Sequence, residues 1–516
     1  QSDNSSDYPE TTGLADTKTV CNGNAQLKSI NMNSTNQISV SNSDILYISP
    51  DGTGSGISSE DTTNWADAYT YINDGGTIYF TGGNYTSIYN QEISKNLTLS
   101  SYNDANVFID ASNKGYIFYI LSSDTSLTLN GLTLINGIGY LNGGFTSGGA
   151  INTMGNLTLI NSSFINNIVT SKGGAIYTSG NCTIINSFFI NNSADSRSAI
   201  SVEGENCNIS GSTFINNTCV KDGGAISFLN AIVSNSSFIN NSANNFGGAI
   251  IVLNNGNCII NQSEFENNNA TGGGAVFTYN NITVINSLFN NNSAKNGQAG
   301  AIFSMNNGNV TSSIFTNNSA LYGGAIVSML GNINGNIFIN NTATYGKSIM
   351  YARDVNCSYN WWGNNTPFND SNNGSLIYYY IDQTNGKYVI PDNWVIMTLN
   401  ANPETLYTKM PSTITVTLNT VNNTNGIVSD LPSNIILPNT TVTYSTLNGD
   451  LTNTQQKFNN STINTFKSSN VGTDTVTATI DNQTLTADLN VKDIETNTIY
   501  VNQAYDGSIS NGTIEY

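Results

Sequence analysis

The sequence predicts an all-β chain: a right-handed parallel β-helix of about 25 residues per coil, followed by an Ig-like β-sandwich. Three observations carry that reading. A Gly-Gly-Ala-Ile tetrapeptide recurs at Gly148–Ile151, Gly173–Ile176, Gly223–Ile226, Gly247–Ile250 and Gly323–Ile326, at spacings of about one, two or three 25-residue units. In the same phase runs Phe-x-Asn-Asn, at Phe164, Phe189, Phe214, Phe238, Phe265, Phe289, Phe315 and Phe338. From about residue 395 the texture changes to alternating Thr and Val or Ile.

Within each repeat, five residues before the Phe, stands an aliphatic residue: Leu159, Ile184, Ile209, Val233, Ile260, Val284, Val310 or Ile333. Polar neighbours such as Thr158, Thr183 and Asn208 flank it, which is the period of a strand with one buried face. Three short strands joined by Gly or Asn turns make one coil, and coils stack at roughly 4.8 Å, so like side chains lie on like. The Phe column becomes an internal ladder. Of the two asparagines, one is free to hydrogen-bond along the axis and the other to take the left-handed turn conformation.

The flanks divide the rest. Residues 1–43 are polar and predicted to be partly disordered, and 44–130 hold an N-terminal cap and looser coils. Within them Asn64–Ile72 reads as a short helix capped at Thr63 or Asn64, placed to close the open end of the core. Regular coils occupy 131–355. Tandem tryptophans at Trp361 and Trp362 and a run of prolines mark 356–394 as cap and linker. Segments such as Ser412–Leu418 and Thr473–Ile480 predict the sandwich over 395–493. In 494–516, Ile499–Gly507 echoes Leu46–Gly52 as though a further module began.

Composition narrows the function classes. The 516 residues carry 34 acids against 15 bases, net −19, which argues against a nucleic-acid partner or an anionic membrane. Histidine is absent, so imidazole bases and imidazole metal sites do not exist here. No apolar run is long enough to span a membrane, and no cofactor motif stands out. Cys182, Cys207 and Cys258 share one column, seven before the Phe, and read as small core hydrophobes; Cys182 and Cys207, one coil apart, also fall near disulfide distance.

The Gly-Gly-Ala-Ile and Phe-x-x-Asn pattern, as at Gly173–Ile176 and Phe189–Asn192, resembles the repeat of chlamydial polymorphic outer-membrane proteins. Together with Asn360-Trp-Trp-Gly363 and the Thr-rich region it is similar to the adhesin-like surface proteins of methanogenic archaea. That resemblance spans about 45–493. It implies a secreted, extracellular, surface-displayed scaffold whose partners are surface glycans or other cells.

Two other function classes stand beside it: a self-associating surface-layer or filament subunit, and a β-helix polysaccharide lyase or glycosidase. The enzyme reading needs paired carboxylates, or a basic residue beside acids, and the cluster that offers them holds Lys172, Asp195, Arg197, Glu203, Glu205, Lys221 and Asp222. Stacked in consecutive coils, Lys172, Arg197 and Asp222 read more simply as a solvated charge ladder. Outward aromatics for stacking on sugars are Tyr140, Phe145, Tyr177, Phe228, Phe246, Tyr279 and Tyr322. Asp51-Gly-Thr-Gly-Ser-Gly56 reads as a flexible turn. More than two dozen Asn-x-Ser/Thr sites occur, and the candidate glycan acceptors are Asn96, Asn156, Asn191, Asn216, Asn240, Asn291, Asn317, Asn422, Asn439 and Asn482.

Overall fold

The computed structural model describes residues 42–493 apart from 143–144, 369–375 and 381–385. The expected polar segment, up to residue 41, and the segment from 494 onward lie outside the described residues. What is described is nearly all β: a parallel solenoid of about 13 turns, roughly 25 residues each, followed by a two-sheet sandwich.

Each regular coil runs through three faces. After the Gly-Gly corner comes a three-residue strand on the first face, such as Ile176–Thr178. The second face follows, for example Asn156–Ile160 or Cys182–Ile185. The third carries the Phe, and its eleven strands run from Gly83–Tyr85 to Ile337–Ile339. A two-residue strip, such as Ser193–Ala194, then leads back to the glycines. Register is like on like: Phe189 pairs with Phe214 and Cys182 with Cys207.

The Phe column is interior. Its eight rings are at most 2% exposed, with adjacent centroids 4.6–5.1 Å apart and planes within 15°, an offset-stacked arrangement imposed by the strand spacing. The aliphatic column five residues earlier is buried as expected.

The paired asparagines divide their labour. The first of each pair, such as Asn191 or Asn216, sits at φ 53–57°, the left-handed region where Asn is tolerated better than most residues. The second is buried and fully satisfied. Asn217 Oδ1 accepts from the backbone N–H and the Nδ2 of Asn192, at 3.1 and 3.0 Å, while its own Nδ2 donates to Phe189 O and Asn241 Oδ1 at 2.8 and 3.0 Å. All four hydrogen-bonding capacities of that amide are used.

A second polar ladder runs two residues before each Phe. The N–H of Ser162 donates to Ser187 Oγ at 3.2 Å and that of Ser187 to Ser212 Oγ at 3.1 Å, while each hydroxyl donates to the carbonyl two residues back. Serine is small enough to lie inside the turn and short enough to return its proton to its own backbone. At the last coils Asn336 and Asn360 take over the column.

The N-terminal helix is Trp65–Tyr71, with Asn64 Oδ1 accepting from Asp67 N at 3.0 Å. It buries Trp65 and Ala68 in the solenoid core, with the indole 5.6 Å from the Phe118 ring. Lys95 Nζ donates to the carbonyls of Tyr69 and Ile72 at its other end, at 2.9 and 2.7 Å.

At the opposite end the tandem tryptophans separate. Trp362 stacks on Phe338 at 4.9 Å and prolongs the Phe ladder, whereas Trp361 turns outward into the sandwich core and donates from Nε1 to Asp481 Oδ2 at 2.7 Å. Asn365 clasps Met397 in both directions, its Oδ1 accepting from Met397 N at 2.6 Å and its Nδ2 donating to Met397 O at 2.9 Å. The segment expected as a linker is therefore partly rung and partly joint, and Ile377–Tyr380 adds one more strand to the first face.

The sandwich consists of two five-stranded sheets. One is led by Asn393–Asn402, Pro411–Asn423 and Ser461–Lys467; the other contains Gln483–Lys492, Gly472–Ile480 and Thr440–Thr446. Val416, Val442, Phe466 and Val476 fill the space between them.

The two asparagine roles predict opposite sensitivities. Asn217→Ala orphans several buried donors and acceptors at about 1–3 kcal/mol each and is expected to cost roughly 3 kcal/mol in denaturant titration. Asn216→Gly should stay within about 0.5 kcal/mol, because the turn asks only for its φ. Equal losses at the two positions would contradict this division.

Candidate functional site

Between the strip and the first face the chain turns on glycine, and the corner is concave. Gly223 has φ +69°, and a Cβ there would stand 2.6 Å from Ile251 Cγ2, so glycine both allows the turn and clears the corner. Along most of its length the corner is filled by its own outward side chains. Phe246 packs on Phe277 at 4.4 Å, Phe277 on Phe303 at 5.2 Å, and Val327 and Met350 continue the cluster.

Toward the N-terminal coils the outward column of the first face changes to Ser201 and Ser227, which bury no large apolar group. There the corner opens into a groove of about 390 Å³, within the usual range of small-ligand sites. Arg197 and Asp222 stand on the strip side; Glu203, Leu229, Leu253 and Tyr279 line it as well, with Ile251 and Asn254.

Strand bridges stack Lys172 on Arg197 and Arg197 on Asp222, as the sequence suggested, but the column is not merely solvated. Glu203 collects its cations. Its Oε1 accepts from Lys172 Nζ at 2.6 Å and Arg197 Nη1 at 3.1 Å, and its Oε2 from the Tyr177 hydroxyl at 2.7 Å. Burial by itself would raise the Glu203 pKa, but hydrogen bonds from Lys172 and Tyr177 and the charges of Lys172 and Arg197 outweigh it and hold the carboxyl below its ordinary value.

Asp222 lies the other way. Burial raises it, and the nearby Asn245 and Phe246 hydrogen bonds and the Arg197 and Lys221 charges offset this only in part. Its Oδ1 is buried without a hydrogen-bond partner. A carboxylate, a guanidinium, apolar side chains and a 39% exposed tyrosine therefore meet in one groove.

The other sequence candidates fall as follows. Phe228 is corrected: it is the third residue of an inward-facing strand and 0% exposed. Phe246 is packed on Phe277, Tyr322 stacks on Tyr345 at 5.1 Å, and Tyr177 serves Glu203. Tyr279 remains in the groove, while Tyr140 and Phe145 lie outside the described side chains. Asp195 is exposed and does not line the groove.

Residues 51–56 are also corrected. They form a pinned turn rather than a loose one: Gly54 N donates to Thr62 O at 2.8 Å, Gly56 N to Asp61 O at 2.7 Å, and the Ser55 hydroxyl to Asp61 Oδ2. Cys182, Cys207 and Cys258 are buried free thiols, as are Cys219 and Cys357. No group of three or more metal-ligating side chains occurs among the described residues.

Of the candidate glycan acceptors, Asn156, Asn191, Asn216, Asn240, Asn291, Asn317, Asn439 and Asn482 are exposed, and Asn96 and Asn422 half-buried. Asn96 Nδ2 is engaged with the Asp74 carboxylate at 3.1 Å.

The family model of the Chlamydia polymorphic membrane protein repeat matches residues 161–179 and 211–228, two runs from the corner before the Phe to the strand after Gly-Gly. No curated protein matches the sequence. Among solved structures, pectate lyase Pel9A overlays with TM-score 0.35 and 15% identity, over 61% of this chain and 79% of that one, a likeness too loose to carry an argument. No helix among the described residues is long and apolar enough to cross a membrane, which says nothing about β-barrels.

The opposed carboxylates make a pH prediction. Glu203, depressed in the fold, contributes stability that is present above its unfolded pKa and lost as pH falls through the folded one, so Glu203→Gln should melt lower near neutrality, with the deficit closing in acid. Asp222 is raised, so ionising it costs the fold, and Asp222→Asn should melt no lower than the parent near neutrality, any advantage closing in acid. Melting curves from about pH 3 to 7 check both, and deficits of the same sign in the two variants would refute the assignment.

Proposed function

We propose that the chain is a secreted cell-surface scaffold of adhesin type, in which the solenoid is a rod presenting a saccharide-binding groove and the sandwich is an Ig-like spacer. The observation that carries this reading is the groove around Asp222. A sugar presents hydroxyls at its edge and C–H groups on its faces. The Asp222 carboxylate on the groove wall accepts one hydroxyl, and the guanidinium nitrogens of Arg197 not spent on Glu203 donate to ring or hydroxyl oxygens. Leu229, Ile251 and Leu253 receive the apolar face, with Tyr279 beside them.

The match to a surface-protein repeat supports an extracellular location. The charge balance fits a neutral ligand, since two cations and two carboxylates share the site.

Cleavage is the less supported use of the same groups. A glycosidase needs two free carboxyls across the scissile bond, whereas both oxygens of Glu203 are occupied by Lys172, Arg197 and Tyr177. A lyase needs a basic residue free to take a proton; Lys172 and Arg197 are both held on that same carboxylate, and Lys221 does not line the groove.

Glycan arrays and calorimetry on the purified chain test the site. Asp222→Ala and Tyr279→Ala should each weaken binding about tenfold or more, the loss expected for a hydrogen bond to a charged group or a stacking face, while Tyr279→Phe retains it. Absence of any glycan ligand, or one indifferent to both alanines, sinks the binding claim. Display is tested apart from it: antibodies raised to the solenoid should label intact cells of the source organism, and labelling confined to permeabilised cells would refute surface exposure.

A further inference from the structure

The corner between the third face and the strip is built on two asparagines per coil, and only one of each pair reaches solvent. The interior one is spent on the ladder, as at Asn192, Asn217 and Asn241. The outer ones, Asn191, Asn216 and Asn240, are exposed, and the hydrogen bonds that hold the ladder use none of their side chains. Their contribution to the fold is a backbone conformation.

Strand alternation then decides which asparagine can be modified. In the strip one residue faces out and the next faces in. Ala194, Cys219 and Ala243 point inward and are at most 4% exposed, so the interior must have a small apolar residue there. The hydroxyl residues Ser193, Thr218 and Ser242 take the outward position. An acceptor needs Ser or Thr two positions on. Counting two positions, the outer asparagines meet the hydroxyl and the buried ones meet Ala or Cys. The packing rule of the strip thus confines the acceptor motif to the exposed member of each pair, and a sugar on its Nδ2 breaks no interior hydrogen bond.

The same stacking that exposes these acceptors crowds them. Consecutive coils here lie one strand apart, with Phe189, Phe214 and Phe238 ring centroids separated by 5.0 and 4.6 Å. A branched N-linked glycan is wider than one such step. We infer that this corner is an N-glycosylation edge on which neighbouring coils exclude one another: Asn191 and Asn240 carry sugar together, and Asn216 carries it only where both are bare. Where sugar is added before folding, the rule acts on which chains fold, because the folded edge has no room for two adjacent glycans. Further along, Asn291 Nδ2 donates to Asn267 Oδ1 at 2.6 Å and Asn317 Nδ2 to Asn290 Oδ1 at 3.3 Å, so these two acceptors are engaged and carry less sugar than Asn191. This goes beyond the attachment reading and does not depend on it.

Tryptic cleavage at Arg197 and Lys221 puts the three sites on separate glycopeptides, and because each peptide also carries other acceptor motifs, such as Asn181 and Asn208, fragmentation assigns the sugar to its residue. Occupancy is measured on the chain from its own cells and on the chain secreted from yeast, with Asn439 in the sandwich as an isolated exposed reference. The expected result is that the fractions at Asn191 and Asn216 sum to no more than one, as do those at Asn216 and Asn240. The double variant Asn191→Gln/Asn240→Gln should raise Asn216 occupancy, a response that a merely poor acceptor would not give. Sums above one, an Asn216 occupancy unmoved in the double variant, or a corner bare in both preparations would each overturn the inference.

Discussion

Parallel, in-register hydrogen bonding between coils is the constraint on which everything else in this chain rests. Once each strand must lie one step above its predecessor, every position of the repeat becomes a column, and a side chain is judged by how it treats a copy of itself. Phenylalanine passes because rings stack offset at 4.6–5.1 Å. Buried asparagine passes because its amide is both donor and acceptor and closes on its own copies, whereas a lone buried amide would cost about 1–3 kcal/mol for each unmet group. A column is also only as sound as its ends. Asn360 ends one ladder by turning its Nδ2 onto the carbonyls of Ile333 and Cys357, at 2.6 and 2.8 Å, and Trp362 ends the Phe ladder.

That logic explains what could be read from the residues alone. Phe164 to Phe338, their asparagine pairs and the aliphatic column recur often enough that period and inward face follow without coordinates. The serine ladder was equally periodic but hidden in a background rich in Ser, Thr and Asn, where one more serine carries no contrast; its fixed place two residues before each Phe was the available signal. Phe228 escapes the pattern for another reason. On the first face both sides of a strand are buried, as in Ile226–Phe228, so period-two patterning does not say which side is the interior. Glu203 was visible only as a member of a charged cluster, because it belongs to a turn outside the repeating columns and its partners Lys172 and Tyr177 arrive from the preceding coil.

The candidate site is where the columns fail to repeat. The corner that holds Ile251, Phe277 and Phe303 in later coils holds Ser201 and Ser227 in earlier ones, and the strip that holds Phe246 there holds Lys172, Arg197 and Asp222 here. Few residues of this chain are charged, 9% in all, yet oppositely charged groups converge on this one stretch. Local departure from an otherwise consistent pattern is what a functional site looks like when stability elsewhere has been secured.

A solenoid makes such departures inexpensive. Each coil touches only its neighbours, so a change on the outward column of two coils alters nearest-neighbour contacts and leaves the rest of the rod standing. Arg197, Asp222 and Tyr279 lie outside the Phe, Asn and Ser ladders, and those ladders continue past the groove on both sides without a break in register. The groove is thereby separated from the columns that support it. The interior columns fix where the groove stands, and the groove's own side chains are free to differ without the rod ceasing to form.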